Sequence, residues 1–249
     1  MKKPADQFIA FLTILVAPFA MGAFLLTWHP AQLFHITDPA NDGYVAPRNI
    51  GNIIAKTQAS TVTVWCEPKV GKGSQGTAVA ISLKAAKSKK YPTTLITNHH
   101  VIKSCIGNNA KVTIALPFKK PVKATISKWD EKNDLATLKT SKKLPALKLS
   151  ENVPWPGYWV MALGSADGYE GSVSFGNVLN SNRTEILITN NISHGNSGGP
   201  LIDNEGFVIG ITSWGQKIEQ YNGAKSLDAF CAKILKCKFG KGKTWWEYK

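Results

Sequence analysis

From Thr61 onward the chain breaks into short apolar or β-branched runs, each closed by a cluster of Gly, Pro, Asn or Lys. This punctuation restricts the fold more than any other property of the sequence. Ser60-Thr61-Val62-Thr63-Val64-Trp65 alternates with period two, as a half-buried strand does. Similar runs follow at 77–83, 93–97, 112–116, 122–128 and 136–139, then at 159–163, 171–179, 185–189, 201–202 and 208–213. Many short strands with turn signals at close spacing predict an all-β sandwich or barrel. Helical periodicity is confined to a short stretch around 50–58 and to 226–236. The Pro-containing segment 142–155 is the natural link between two sets of strands. A chain of 249 residues with 43% hydrophobic content can bury a core of one ordinary domain or two small barrels sharing an interface.

The N-terminal part has a different character. Lys2 and Lys3 precede 21 residues without a charge, from Phe8 to Trp28. A helix of that length spans roughly 30 Å of hydrocarbon. The next basic residue is Arg48, so the positive-inside rule leaves residues 1–7 cytoplasmic and exports the main body. The expected organisation is a transmembrane signal anchor at 1–28, a stalk at 29–58, a main domain at 59–237 and a basic tail at 238–249. A cleaved signal peptide, ending at the small-x-small site Ala20-Met21-Gly22, is the alternative, with secretion as its result. Both readings place the main body outside the cytoplasm, in a bacterial envelope or beyond it.

Cysteine content fits that compartment. Cys66 and Cys105 flank the segment that carries His100, and Cys231 and Cys237 lie close together near the C-terminus. Four cysteines admit three connectivities; the favoured one is Cys66–Cys105 with Cys231–Cys237. No Cys-x-x-Cys pair is present, so zinc and dithiol redox chemistry have no support and neither metal nor cofactor is expected. The net charge is +14, yet Arg48 and Arg183 are the sole arginines among 30 basic residues. Specific nucleic-acid readers rely on Arg for bidentate base contacts, so nucleic acid is not an expected partner. A lysine-rich surface favours an anionic membrane or acidic substrates, or has no single partner.

The run Gly195-Asn196-Ser197-Gly198-Gly199-Pro200-Leu201 carries the chemistry. A serine hydroxyl is a poor nucleophile near neutral pH and needs a base beside it. It also needs donors for the oxyanion of a tetrahedral intermediate. Glycines on both sides let the backbone turn sharply, so that the N–H groups of Gly195 and Ser197 can point into one cavity. An imidazole is the best-suited base, and His99 and His100 compete for that role. On a strand, neighbours face opposite ways, so one of them alone can face the serine. Asp134 and Asp130 compete as the acid that orients the imidazole.

The serine run resembles the active-site signature of trypsin-like serine proteases, and the surrounding motifs are similar to the HtrA/Do branch. Thr97-Asn98-His99-His100-Val101 resembles the Thr-Asn-x-His-Val of that branch. Asn133-Asp134-Leu135-Ala136-Thr137-Leu138-Lys139 resembles its Asp-Leu-Ala-x-Leu-Lys. Ala162-Leu163-Gly164-Ser165, Gly171-Ser172-Val173, Gly176-Asn177-Val178 and Val208-Ile209-Gly210-Ile211 follow in the family's order. The resemblance covers about residues 60–235 and implies a chymotrypsin-like double β-barrel, with barrels at about 59–145 and 155–225. It is joined by the expected N-terminal transmembrane helix and a short C-terminal helix. It selects His100, directly before Val101, as the base and Asp134 over the turn residue Asp130. The implied activity is a serine endopeptidase acting on proteins or peptides through an acyl-enzyme. A catalytically silent binding module on the same fold is the alternative, and a chaperone-like holdase ranks third. A PDZ domain is not expected after the basic tail.

The same resemblance implies that Ser213-Trp214-Gly215 pairs with an extended substrate as an added strand. Asn191, six residues before the serine, would stand at the floor of the primary specificity pocket. Being neutral, it does not favour cleavage after Lys or Arg. Thr189, Asn190, His194 and Thr212 would make a polar pocket suited to a small or polar residue. Oligomeric state is left open.

Overall fold

A computed structural model of the chain describes residues 43–82, 90–107, 110–151, 153–216 and 221–235. The expected membrane span at 8–28, the start of the stalk, Cys237 and the basic tail lie outside the described residues. Among the described residues, no helix is long and apolar enough to cross a membrane.

Two closed antiparallel barrels of six strands form the body. Barrel one contains β1 (Thr61–Glu67), β2 (Ser74–Ala80), β3 (Thr93–Thr97), β4 (Lys111–Ala115), β5 (Val122–Asp130) and β6 (Leu135–Thr140), hydrogen-bonded in the order β1-β2-β3-β6-β5-β4. Barrel two contains β7 (Trp159–Ala166), β8 (Tyr169–Ser181), β9 (Glu185–Ile188), β10 (Pro200–Ile202), β11 (Val208–Gly215) and β12 (Asn222–Ser226), in the order β10-β11-β12-β9-β8-β7. Helix α1 (Ile50–Ser60) precedes barrel one, and α2 (His99–Ile102) follows β3. A 3-10 turn (Lys103–Cys105) continues α2. Helix α3 (Leu227–Phe230) runs into a π-helical turn (Cys231–Leu235) after β12.

The strand period sorts side chains between two kinds of core. On β2, Ala78 and Ala80 point into barrel one while Val79 between them packs in a cluster shared by both barrels. On β3, Leu95 faces inward and Ile96 faces that shared seam. On β7, Val160 and Ala162 fill barrel two and Met161 joins the seam. Ile53 of α1, Phe230 of α3 and Ile234 complete it. The segment joining the barrels is stitched to both, through parallel bridges Ile81–Leu147 and Leu149–Val208.

Three local features differ from the sequence reading. Residues 222–226 form β12, although Asn-Gly-Ala-Lys-Ser has turn composition. Pairing with β9 and β11 on either side overrides that propensity. His99 and His100 begin a helix rather than continuing β3. The expected helix at 226–236 is present but loosens into the π-helical turn after one turn; the Ser226 side chain caps its start, accepting from Ala229 N.

Cys66 and Cys105 form a disulfide, with Cα atoms 5.9 Å apart, that ties β1 to the 3-10 turn after α2. Cys231 is also in a disulfide.

Phe230 is fully buried at the seam. Phe230→Ala is expected to lower unfolding free energy by about 3–5 kcal/mol, read from urea denaturation of the two proteins.

Candidate active site

The cleft between the barrels collects side chains from both. Asn98 is extended (φ −82°, ψ 154°) and turns the chain from β3 into α2. Successive residues of a helix are about 100° apart, so the two histidines diverge. His99 turns inward and is buried. The His100 side chain keeps 48% of its surface exposed and meets Asp134.

Asp134 sits at the turn before β6 with φ 53°, in the left-handed region that Asp tolerates better than most residues. Its N–H donates to Glu131 O, and its carbonyl accepts from Asn98 Nδ2 at 2.9 Å. This fixes the carboxylate under α2. The carboxylate accepts from His100 N at 2.9 Å and contacts His100 Nδ1 at 2.9 and 3.0 Å through its two oxygens. The Ser213 hydroxyl donates to Oδ2 at 2.7 Å from barrel two. An ionised carboxylate accepts without donating, so the Nδ1 proton belongs on the imidazole and the Nε2 lone pair is left available. Burial pushes the Asp134 carboxyl up. The His100 ring, its charge and N–H, and the Ser213 hydroxyl together outweigh burial and hold the carboxyl below its ordinary value. Asp130 instead accepts from Asn133 N and Nδ2, as a turn aspartate does.

Ser197 lies in the loop before β10. Its hydroxyl donates to the Ser213 carbonyl at 3.1 Å. Ser213 thus touches both Asp134 and Ser197, a link that the sequence assigned to substrate pairing alone. Gly195 has φ +94°, and a Cβ there would stand 2.1 Å from Ser165 O, so no other residue fits. The His194 carbonyl accepts from Asp167 N at 2.6 Å. In a trans peptide this turns the Gly195 N–H to the opposite side. Neither Gly195 N–H nor Ser197 N–H donates to a protein group among the described residues. Two such donors beside a serine can hold an anionic oxygen.

On the substrate side, β11 shifts register between Thr212 and Trp214, so Ser213 steps out of the ladder with β12. Gly215 faces the 190–193 segment closely. A Cβ on it would be 2.8 Å from Ile192 O and 2.6 Å from Asn222 Oδ1. Asn222 Nδ2 in turn donates to Asn190 O at 2.6 Å. Asn222 therefore occupies space between these two walls; in the sequence its Asn-Gly dipeptide signals only a turn. Asn191 is exposed, and with Ile192, Ser193 and Asn196 it lines a cavity of about 430 Å³ completed by Ala162, Ala166 and residues 172–174. Ser213, Trp214 and Gly215 are not on its walls.

Because the Asp134 pKa is lowered on folding, its ionised form stabilises the protein above the ordinary carboxylate range. That contribution is lost as pH falls through the folded value. The excess stability of the wild type over Asp134→Asn is therefore expected to shrink steadily as pH falls below about 5, through the ordinary carboxylate range and on toward the lower folded value. Urea titrations across that range measure it.

Residues 76–211 match the family model of the trypsin-like peptidase domain. A probable periplasmic DegP-like serine endoprotease of Hahella chejuensis is 36% identical over 129 residues, covering 48% of this chain and 27% of that protein. Human serine protease HTRA3 is 34% identical over 136 residues, covering 48% of this chain and 30% of that protein. The chain thus spans under a third of the length of these curated relatives. Among solved structures, the Rv3671c protease of M. tuberculosis in its active form superposes with a TM-score of 0.65 at 22% identity, covering 81% of this chain and 92% of that one. A serine endoprotease of Yersinia pestis gives 0.63 at 23% identity, covering 77% and 67%. At such identities the two structures speak for the fold.

Proposed function

This chain belongs to the trypsin-like peptidase family, and on that premise we propose that it is a serine endopeptidase of the HtrA/DegP type with His100, Asp134 and Ser197 as its catalytic triad. One observation carries the reading. The Asp134 carboxylate accepts from His100 Nδ1 and from Ser213, the residue that also holds the Ser197 hydroxyl.

Rotation about the Ser197 Cα–Cβ bond takes the hydroxyl from the Ser213 carbonyl to His100 Nε2. His100 removes the proton as Oγ attacks the scissile carbonyl carbon. Gly195 N–H and Ser197 N–H receive the resulting oxyanion. The C–N bond breaks as His100 returns its proton to the leaving amine, and an ester to Ser197 remains. Water, deprotonated by His100, releases the acid and restores the serine. Asp134 holds the Nδ1–H tautomer throughout and balances the imidazolium charge. Ser213, Trp214 and Gly215 pair with the extended substrate. The closeness of Gly215, Ile192 and Asn222, with neutral Asn191 nearby, supports a small side chain before the scissile bond.

Ser197→Ala is expected to abolish casein hydrolysis and fluorophosphonate labelling while the unfolding midpoint stays near that of the wild type. The wild-type activity, profiled on a peptide library, should favour small residues over Lys and Arg. Labelling that survives the substitution would overturn the assignment.

The proposed setting is the extracytoplasmic face of a membrane, with the 8–28 segment as tether. The uncharged run, the Cys66–Cys105 disulfide and relatives described as periplasmic support it. The full-length protein should resist alkaline carbonate extraction from membranes. Recovery in the medium with a new N-terminus near Ala23 would favour the secreted alternative.

A further inference from the structure

Thr77 of β2 is fully buried where the two barrels meet, and it commits all of its polar groups there. Its carbonyl accepts from Thr97 Oγ1 at 2.7 Å. Its N–H donates to Ser197 O at 2.8 Å. Its hydroxyl donates to Gly195 O at 2.6 Å and accepts from Ser165 N at 3.1 Å. The Ser165 N–H comes from a register shift between Gly164 and Ser165 in the β7–β8 ladder. One residue of barrel one therefore grips, by their carbonyls, both residues of barrel two whose N–H groups face the oxyanion.

We propose that Thr77 is a positioning residue: its hydroxyl sets the Gly195–Asn196 peptide and thereby aims the oxyanion donors. The proposal rests on Ser197 being the nucleophile. A hydroxyl is required because the position must both accept an N–H and donate to a carbonyl. Valine has the same shape and does neither, leaving two buried polar groups unpaired and the loop free to turn. Gly195 depends on such restraint more than another residue would, since without a Cβ its φ and ψ are weakly confined. The ground-state substrate gains little from the donors compared with the tetrahedral intermediate. Loss of aim therefore falls on kcat rather than KM.

Thr77→Val is expected to lower kcat on a peptide substrate about 10- to 100-fold, less than the ~10²–10³ lost with a donor itself, with KM changed by less than about twofold. Thr77→Ser, which restores the hydroxyl, should return kcat to within about threefold of the wild type. Thr63→Val is the control for the seam. It breaks the 2.6 Å bond between Thr63 Oγ1 and Ser165 Oγ and should lower the urea midpoint while leaving kcat within about twofold. Unchanged kcat in Thr77→Val, failure of Thr77→Ser to restore it, or an equal kcat loss in Thr63→Val would each overturn the proposal. If Thr77→Val does not fold, Thr77→Cys, of similar volume with a weak donor, carries the test. Its kcat must fall below that of Thr77→Ser, and equality overturns the proposal. Fluorophosphonate labelling keeps the two ideas apart. Labelling of Ser197→Ala refutes the nucleophile, whereas full kcat in Thr77→Val of an enzyme labelled only at Ser197 refutes the positioning role alone.

Discussion

Packing of barrel one on barrel two through Val79, Ile96, Leu135, Met161, Ile202 and Ile211 sets the separation at which every polar contact of the site is made. His100 and Asp134 belong to the first barrel; Gly195, Ser197 and Ser213 belong to the second. Burial of a large apolar side chain stabilises by about 1.5–3 kcal/mol. A typical hydrogen bond contributes about 0.5–1.5 kcal/mol net. The seam thus holds the halves together, and the hydrogen bonds across it refine an approach that hydrophobic packing has already made. The 2.7 Å contact from Ser213 to Asp134 is one such refinement, and the grip of Thr77 on the serine loop is another.

The half-buried carboxylate of Asp134 shows how that refinement works. Asp134 loses part of its hydration on folding, and desolvation alone would raise its pKa. Contacts from His100 N, His100 Nδ1 and Ser213 Oγ replace the lost water. Two come from the helix turn that also presents the imidazole, so ring orientation and carboxylate ionisation have one structural cause. The Cys66–Cys105 disulfide anchors the far end of that helix turn to β1, which limits how far the imidazole can drift from its acid.

Much of the fold was legible in the sequence because strand periodicity is local. The runs at 93–97 and 159–163 start where β3 and β7 start, and 208–213 lies inside β11. β12 was not legible, since Asn-Gly-Ala-Lys-Ser becomes a strand through its two neighbours, not its own composition. The candidate site divides along the same line. His100, Asp134 and Ser197 stand in contiguous motifs whose chemistry can be named. The two histidines diverge by helical rotation and not by strand alternation, and His100 is the one whose ring meets Asp134. Asn222, Thr77 and the second contact of Ser213 lie far in sequence from what they touch. Only the folded chain brings Asn222 to Asn190 or Thr77 to Gly195.

Barrel closure also governs how the molecule behaves among other polypeptides. Each sheet returns on itself, so among the described residues neither has a terminal strand with a row of unsatisfied amides. An open edge would recruit extended chains indiscriminately and seed co-aggregates. The β11 ladder slips at Ser213, one residue from Trp214, which is where the proposed substrate pairing would begin. Pairing of an extended chain there would span only a few residues, so that contact would stay local instead of growing into a shared sheet.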